Sequence, residues 1–311
     1  MRALVVTNMY PTPMRPALGS FVRDQVEALR RIDGTEVDLF AFAPGGAGAY
    51  LKGTQDLRRR HRRDPYDVVH AHFGLTAWPA FAASGRAHAV TLHGTDLVHP
   101  RSRALTLAAL PFLDLVATVS EPLAKDVPGW AVRGQRAVLP CGVEVERFRP
   151  IPRAEARAEL GLSPSARYVL FPADPARREK RYDRAVAATD GQAELLALGN
   201  VDPQQVPVYV NAVNAVLVPS ERESFALAVL EALACDVPVL ATPVGIAPDA
   251  LMGVAGTLCA PFEATAWRAK LMPHLETEDP RVAGRAAAIA YSTDRMAARV
   301  VDGWRGLTER S

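Results

Sequence analysis

Two α/β domains, each a parallel sheet flanked by helices, are what the sequence predicts, and three observations carry the expectation. Short apolar runs of strand length alternate with segments of helical length and composition along the chain. Pro150 and Pro152 punctuate that alternation near the middle of 311 residues, enough for two domains of ordinary size. Residues 215–242 read as strand, helix, strand, the crossover unit from which parallel sheets are built.

In the first half, strands fall at residues 3–7, 37–42, 66–73, 89–93, 115–120 and 136–140, which argues a Rossmann-like sheet. A proline-rich loop ending at Gly19 leads into a helix from Phe21 to about Ile32, so a strand end, a rigid loop and a helix N-terminus meet. Gly19 would let the backbone approach a ligand closely. Residues 43–49 are glycine-rich, lack a helix-start pattern and read as a flexible loop. After the prolines come a helix near 153–160, strands at 168–171 and 194–198, the 215–242 unit and a helix over 264–275. The segment 291–307 is amphipathic, with Met296, Val300, Val301 and Trp304 on one stripe. The expected division is 1–149, 150–292 and a C-terminal helix over 293–311.

The net charge of +2 forces no nucleic-acid partner. Cys141, Cys235 and Cys259 are scattered, suggesting neither a disulfide framework nor a metal site, and fit a reducing, cytoplasmic compartment. No run approaches the length of a membrane span, and Met1-Arg2 leads directly into a strand rather than a signal peptide. From Arg58 to Arg63 the chain reads Arg-Arg-Arg-His-Arg-Arg. Such a run can dock on the anionic inner face of a membrane or form a solvated helix face, and both readings stay open.

Chemistry concentrates between Ser220 and Gly245. A helix over 225–235, with Ser224 at its N-cap, is apolar nearly all round and should be buried. Glu231 stands out on it: Leu227, Ala228, Ala234 and Cys235, its helical neighbours, cannot pair a carboxylate. Its partner must come from outside the helix, and the hydroxyls of a ribose would serve. Glu223 lies eight residues earlier, roughly 12 Å along the axis, beside the amides of Phe225 and Ala226, where the helix dipole favours an anion. Carboxylate, anion cradle and carboxylate in line match the sugar, diphosphate and ribose of a nucleotide sugar. An ordinary buried helix with one glutamate reaching solvent has the same spacing. Further upstream, Arg177, Arg178, Lys180 and Arg181 crowd a strand-to-helix turn, suited to a diphosphate or simply to solvent. His70, His72 and His93 sit at strand ends without zinc-site spacing.

Glu223-Ser-Phe through Glu231-Ala-Leu-Ala, followed by Val237-Pro-Val-Leu-Ala-Thr, closely resembles the signature of glycosyltransferase family 4. Asp67-Val-Val-His-Ala-His-Phe, Val90-Thr-Leu-His-Gly and the run from Tyr10 to Gln25 resemble other segments of that family. The resemblance implies a GT-B fold: two Rossmann-like domains facing across a cleft, with the last helix crossing back to the N-terminal domain. It implies retaining, metal-independent hexosyl transfer from a UDP- or GDP-sugar to an acceptor hydroxyl, without a cofactor. The acceptor would be a sugar, a lipid-linked molecule or another small molecule. By the same resemblance Glu223 holds the sugar hydroxyls and Glu231 the ribose. Gly19 meets the donor phosphate, and His93 lies against the sugar and leaving diphosphate. Arg177 and Lys180 meet the diphosphate, with Arg178 as a substitute, beside Ser224 and the amides of Phe225 and Ala226. His70 and His72 are structural or acceptor-side. The chain departs from the family at Cys141 (usually Asn), at Asp236 (usually Gly), around the basic turn, and in the short spacing before residue 215, which trims the second domain. Two rivals remain: a non-hydrolysing sugar-nucleotide epimerase and a non-catalytic sugar-nucleotide-binding partner.

Overall fold

A computed structural model describes residues 1–61, 65–199 and 201–309. The chain divides into two compact units, Met1–Gly142 with Thr293–Ser311, and Val143–Ser292. Each is organised on one sheet in which all described pairings are parallel.

In the first unit the strands are β1 (Arg2–Thr7), β2 (Glu36–Ala41), β3 (Tyr66–His72), β4 (Gly85–Leu92), β5 (Leu115–Thr118) and β6 (Gln135–Val138). They lie in the order β2-β1-β3-β4-β5-β6. Its helices, in sequence, are α1 (Ser20–Arg30), α2 (Ala47–His61), α3 (Ala77–Ala80), α4 (Thr95–Val98), α5 (Pro100–Ala109) and α6 (Glu121–Lys125). The chain leaves β1 in one direction to reach β2 and returns past it to β3, so the switch point lies between β1 and β3. Right-handed crossovers then put α1 on one face and α2, α3, α5 and α6 on the other.

The second unit contains α7 (Arg153–Glu159), β7 (Tyr168–Phe171), α8 (Tyr182–Thr189), β8 (Glu194–Ala197), α9 (Val206–Ala212) and β9 (Ala215–Val218). It continues through α10 (Leu227–Ala234), β10 (Val239–Ala241), α11 (Ala247–Ala250), β11 (Leu258–Cys259), α12 (Ala264–Glu276) and α13 (Arg285–Ile289). The order β11-β10-β9-β7-β8 places its switch point between β7 and β9. One helix, α9, fills the short connection from β8 to β9.

Two local expectations are corrected. Residues 43–49 are not all loop: α2 starts at Ala47, where Tyr50 packs edge-on against Phe42 with ring centroids 5.5 Å apart and overrides the glycines. The key helix starts at Leu227, and Ala226, not Ser224, occupies the cap position with φ 66° and ψ 52°. The cause is tertiary. Ile246 N donates to Phe225 O at 2.7 Å, and a Cβ on Gly245 would stand 2.4 Å from that oxygen, so the loop after β10 grips Phe225 and turns the chain at Ala226. Asp236 adopts φ 56°, a left-handed conformation that is unfavourable for a side chain. Its carboxylate accepts from Gly284 N at 3.0 Å and Arg285 N at 2.8 Å, capping α13 from a distance.

The last helix, α14 (Thr293–Thr308), packs on α1, β3 and β4 and completes the first unit's core. Met296, Val300, Val301 and Trp304 join Val5, Val22, Val26 and Leu29 there. Trp304 is fully buried and its indole N–H donates to His70 Nδ1 at 2.9 Å. Trp304→Ala is therefore expected to destabilise the first unit by about 3–5 kcal/mol. Trp304→Phe, which keeps most of the volume and loses the hydrogen bond, should cost about 1–3 kcal/mol. Urea unfolding of the full chain followed by circular dichroism measures both.

Candidate active site

At the second unit's switch point, β9 ends at Val218, and the chain runs through Pro219, Ser220 and Glu223 to the start of α10. Glu223 is held from two sides: Lys180 Nζ lies 2.6 Å from Oε1 and Ser220 Oγ donates to the same oxygen at 2.7 Å. Both charged side chains are largely removed from solvent. Lys180 and Glu223, both expected at the donor, thus meet in one ion pair that joins the turn after β7 to the turn after β9. Glu221 N donates to Glu179 O at 2.9 Å and ties the same two turns through their backbones.

The other cations of the turn have different partners. Arg177 makes a fork on Glu179, with Nε at 3.0 Å and Nη2 at 2.7 Å. Arg181 pairs Asp183 and Glu221. Arg178 is exposed, and its side chain forms no hydrogen bond or ion pair among the described residues. Of the two arginines read as diphosphate ligands, Arg178 is the one not already engaged by a carboxylate.

The helix α10 is not buried all round, which corrects the expectation for Glu231. Val229, Leu230, Ala232, Leu233 and Ala234 are buried, whereas Ser224, Leu227, Ala228 and Glu231 are partly exposed. Leu227 and Ala228 lie four and three residues before Glu231 and share one side of α10 with it, and Ser224 lies just ahead of the helix. Glu231 therefore sits on an accessible, mostly apolar stripe that starts beside Glu223. Phe225 and Ala226 are buried at its head, at the positive end of the helix dipole.

In the first unit, Gly19, His72 and His93 gather where β1, β3 and β4 end. Gly19 takes φ 63° at the start of α1, and a Cβ there would lie 2.1 Å from Met9 O. That glycine is required by its own loop, whatever it also does for a ligand. His93 packs between Phe21 and Phe73, with centroid separations of 4.9 and 4.6 Å. His72 Nδ1 is 3.0 Å from His93 Nε2. Asp96 binds the loops after both strands: its carboxylate accepts from Gly74 N at 2.6 Å, His93 N at 2.7 Å and Gly94 N at 3.1 Å. Burial pushes the Asp96 carboxyl up against the pull of these amides. The sequence shows Asp96 only as one more acid near the histidines; its role depends on amides from two loops.

The imidazoles have assignable tautomers. The Trp304 indole can only donate, so His70 Nδ1 accepts, and His70 Nε2–H donates to Thr91 Oγ1 at 2.8 Å. His72 Nε2 is buried without a partner among the described residues. An orphaned acceptor is easier to bury than an orphaned N–H, so the His72 proton sits on Nδ1 and donates to His93 Nε2. His93 then carries its own proton on Nδ1. Burial holds all three rings neutral: His72 falls to about 4, while His93 and His70 fall well below the ordinary value, helped by neighbouring imidazoles.

Elsewhere, Cys141 and Cys235 are pushed up to about 12 by burial, so neither is a thiolate at neutral pH. No group of three His, Cys, Asp or Glu side chains among the described residues could hold a metal ion. No described helix is long and apolar enough to cross a membrane. Arg58, Arg59 and Arg60 are exposed on α2; Arg62 and Arg63 of the basic run lie outside the described residues. The loop after β1 and the segment after β2 line a cavity of about 380 Å³ bounded by Tyr10, Thr12, Arg15, Leu18, Phe42 and Pro44.

Comparison with known proteins gives the family and the fold. The model for glycosyl transferases group 1 matches residues 168–291, and that for glycosyltransferase family 4 matches residues 18–147. A D-inositol 3-phosphate glycosyltransferase of Actinosynnema mirum is 30% identical over 286 residues, spanning 72% of this chain and 67% of that protein. The chain is a group 1 glycosyltransferase. A second group 1 relative, the enzyme of the same name from Thermobispora bispora, is 28% identical over 336 residues, with 87% of this chain and 75% of that protein covered. Among solved structures, the sucrose-phosphate synthase of Thermosynechococcus elongatus superposes with a TM-score of 0.76 at 20% identity, over 100% of both chains. The Anabaena protein HepE, solved with UDP and glucose, gives 0.71 at 16% identity, over 98% of this chain and 99% of that one. The fold of this group 1 glycosyltransferase is GT-B.

The buried histidines set a pH response. Below pH 6.5 the unfolded chain takes up a proton at each position that the folded chain refuses, so stability falls as pH drops from 6.5 toward 4. His72 alone accounts for about 3 kcal/mol across that window. Urea midpoints at several pH values should fall through it, and His72→Gln should flatten the slope.

Proposed function

We propose that this glycosyltransferase moves a hexosyl group from a UDP- or GDP-sugar to an acceptor hydroxyl with retention of configuration. What carries the reading is the Lys180–Glu223–Ser220 cluster at the β7/β9 switch point, with Arg177 and Arg178 on one side and the accessible stripe of α10 ending in Glu231 on the other. The likeness of fold to a protein solved with UDP and glucose supports a nucleotide-sugar donor. Glu223 accepts hydrogen bonds from the sugar hydroxyls, and Glu231 accepts them from the ribose. Lys180 has three donor protons, so pairing Glu223 leaves two for phosphate. Arg177, Arg178, Ser224 and the amides of Phe225 and Ala226 complete the diphosphate cradle, and Gly19 lets its own loop's backbone approach a phosphate. His93 donates its Nδ1–H as a neutral group, so it adds no charge near the sugar.

In the reaction the bond from C1 to the diphosphate oxygen breaks, and the acceptor oxygen bonds to C1 on the same face. The acceptor proton passes to the departing phosphate oxygen. No enzyme nucleophile is needed: Glu223, bound by Lys180 and Ser220 through one oxygen, serves as a hydrogen-bond acceptor. Rate then comes from positioning and from cations facing the charge that develops on the leaving group. Those cations take the part a metal ion would play, so neither a metal nor a cofactor is required. The cavity walled by Tyr10, Thr12 and Arg15 is assigned to the acceptor, whether sugar, lipid-linked or another small molecule. The enzyme works in the cytoplasm, with Arg58–Arg60 turned to the membrane's inner face.

The test is turnover of a panel of nucleotide sugars with and without acceptors, in excess EDTA, with the anomeric configuration read by NMR. Transfer with retention in EDTA is expected. Inversion, or loss of turnover restored by magnesium or manganese, refutes the mechanism. Isomerised donor without acceptor supports the epimerase, and binding without any turnover supports the non-catalytic partner.

The two glutamates should separate in calorimetry. Glu231→Ala should weaken nucleotide sugar and free nucleotide alike by about 1.5–3 kcal/mol, because both contain the ribose. Glu223→Gln should lower turnover and leave free nucleotide affinity unchanged. Equal loss of nucleotide binding in both variants would refute the order of sugar, diphosphate and ribose along α10.

A further inference from the structure

The cavity assigned to the acceptor has one charged residue in its wall, Arg15, and no acid. The rest of the wall is apolar or uncharged, with Tyr10, Leu18 and Phe42 its largest side chains. Arg15 stands on a fixed turn. Thr12 and Arg15 exchange two backbone hydrogen bonds, of 2.9 and 3.2 Å, and Leu18 N donates to Arg15 O at 3.2 Å. Pro11, Pro13 and Pro16 fix φ at three more positions of the same loop. Phe42 is held as firmly on its own segment. Its ring meets Tyr50 edge-on at 5.5 Å, and Asn8 Nδ2 donates to the Tyr50 hydroxyl at 2.8 Å.

The guanidinium itself is uncommitted. The Arg15 side chain is exposed and forms no hydrogen bond or ion pair among the described residues. The next three arginines along the chain are all engaged: Arg23 on Asp24 at 2.8 Å, Arg30 on Val37 O at 3.1 Å and Arg31 on Asp294 at 2.7 Å. An arginine open to solvent is ordinary. One on a fixed backbone, in a concave wall that holds no acid, is prepared for an anion, because its planar fork gives two parallel hydrogen bonds to a carboxylate or a phosphate. A cavity of about 380 Å³ with apolar walls and few polar groups is also the usual form of a small-molecule site, where the polar groups fix orientation.

We propose that the acceptor is a sugar or polyol ring bearing an anionic group, a phosphate monoester or a carboxylate, which Arg15 binds while the ring lies against Tyr10 and Phe42. Arg15 selects the acceptor and takes no part in breaking the donor bond. The inference rests on the reading of this cavity as the acceptor's. A neutral ring fills the same space and leaves the guanidinium without a partner, so it binds more weakly.

The experiment is calorimetric titration of the full chain with glucose, glucose 6-phosphate and glucuronate. UDP or GDP is kept at saturation, so that the cations near Glu223 are already occupied. At low salt the anionic ligands should bind about tenfold or more tightly than glucose. That advantage should shrink as salt is raised. Arg15→Gln should bring both anions to within about twofold of glucose, and Arg15→Lys, which keeps the charge and loses the fork, should fall between. Circular dichroism melting checks that both variants fold. Tighter binding of glucose 6-phosphate assigns a phosphorylated acceptor, and tighter binding of glucuronate an acidic sugar. Equal affinity for all three ligands, no binding of either anion, or anion affinity unchanged in Arg15→Gln overturns the proposal. The titration needs no turnover, so failure of the transfer reading is seen separately, in the turnover panel.

Discussion

A parallel sheet must be covered on both faces, because its crossovers lay helices there, so the strand ends are where its backbone is free to meet a ligand. Everything functional in this protein follows from that constraint. In each unit the strand order reverses at one place, and the residues of interest collect at the carboxyl ends of the strands on either side of it. His93, Gly19 and Asp96 serve the loops around β1, β3 and β4, and Lys180 and Glu223 the loops after β7 and β9.

Loops at such ends carry chemistry only if something holds them still. In the first unit the Asp96 carboxylate does so, accepting three backbone N–H groups from two loops. In the second unit the Lys180–Glu223 pair and the Glu179–Glu221 backbone bond do so. A half-buried ion pair of this kind contributes specificity of arrangement more than stability, since desolvation offsets much of its attraction.

Two of the second unit's left-handed side-chain residues flank α10. Ala226 and Asp236 bracket α10 in left-handed conformations that cost a side chain about 1 kcal/mol or more each. Ala226 is forced there by the grip of the Gly245 loop on Phe225, and Asp236 is compensated by capping α13. The departure from the usual glycine at 236 thus has a structural explanation. The accompanying Cys141 thiol is partly exposed, and desolvation keeps it protonated, so it offers no charge to a ligand.

The sequence by itself determined most of the strands and longer helices, the parallel character of both sheets and the family, and it nominated the candidate site residues. Apolar periodicity, the two punctuating prolines and the spacing of Glu223 and Glu231 are all local signals, and local signals survive in a linear string. The sequence could not determine which charges meet. Lys180 and Glu223 lie 43 residues apart, Asp96 and Gly74 lie 22 apart, and Trp304 and His70 lie 234 apart. The first two contacts exist because the strands behind those loops are neighbours in a sheet, and the third because α14 packs back on β3. The same holds for the start of α10 at Leu227 rather than Phe225, which a loop twenty residues later decides. It holds too for the accessible face of α10: composition reads that helix as buried throughout, and only packing shows which side the sheet covers.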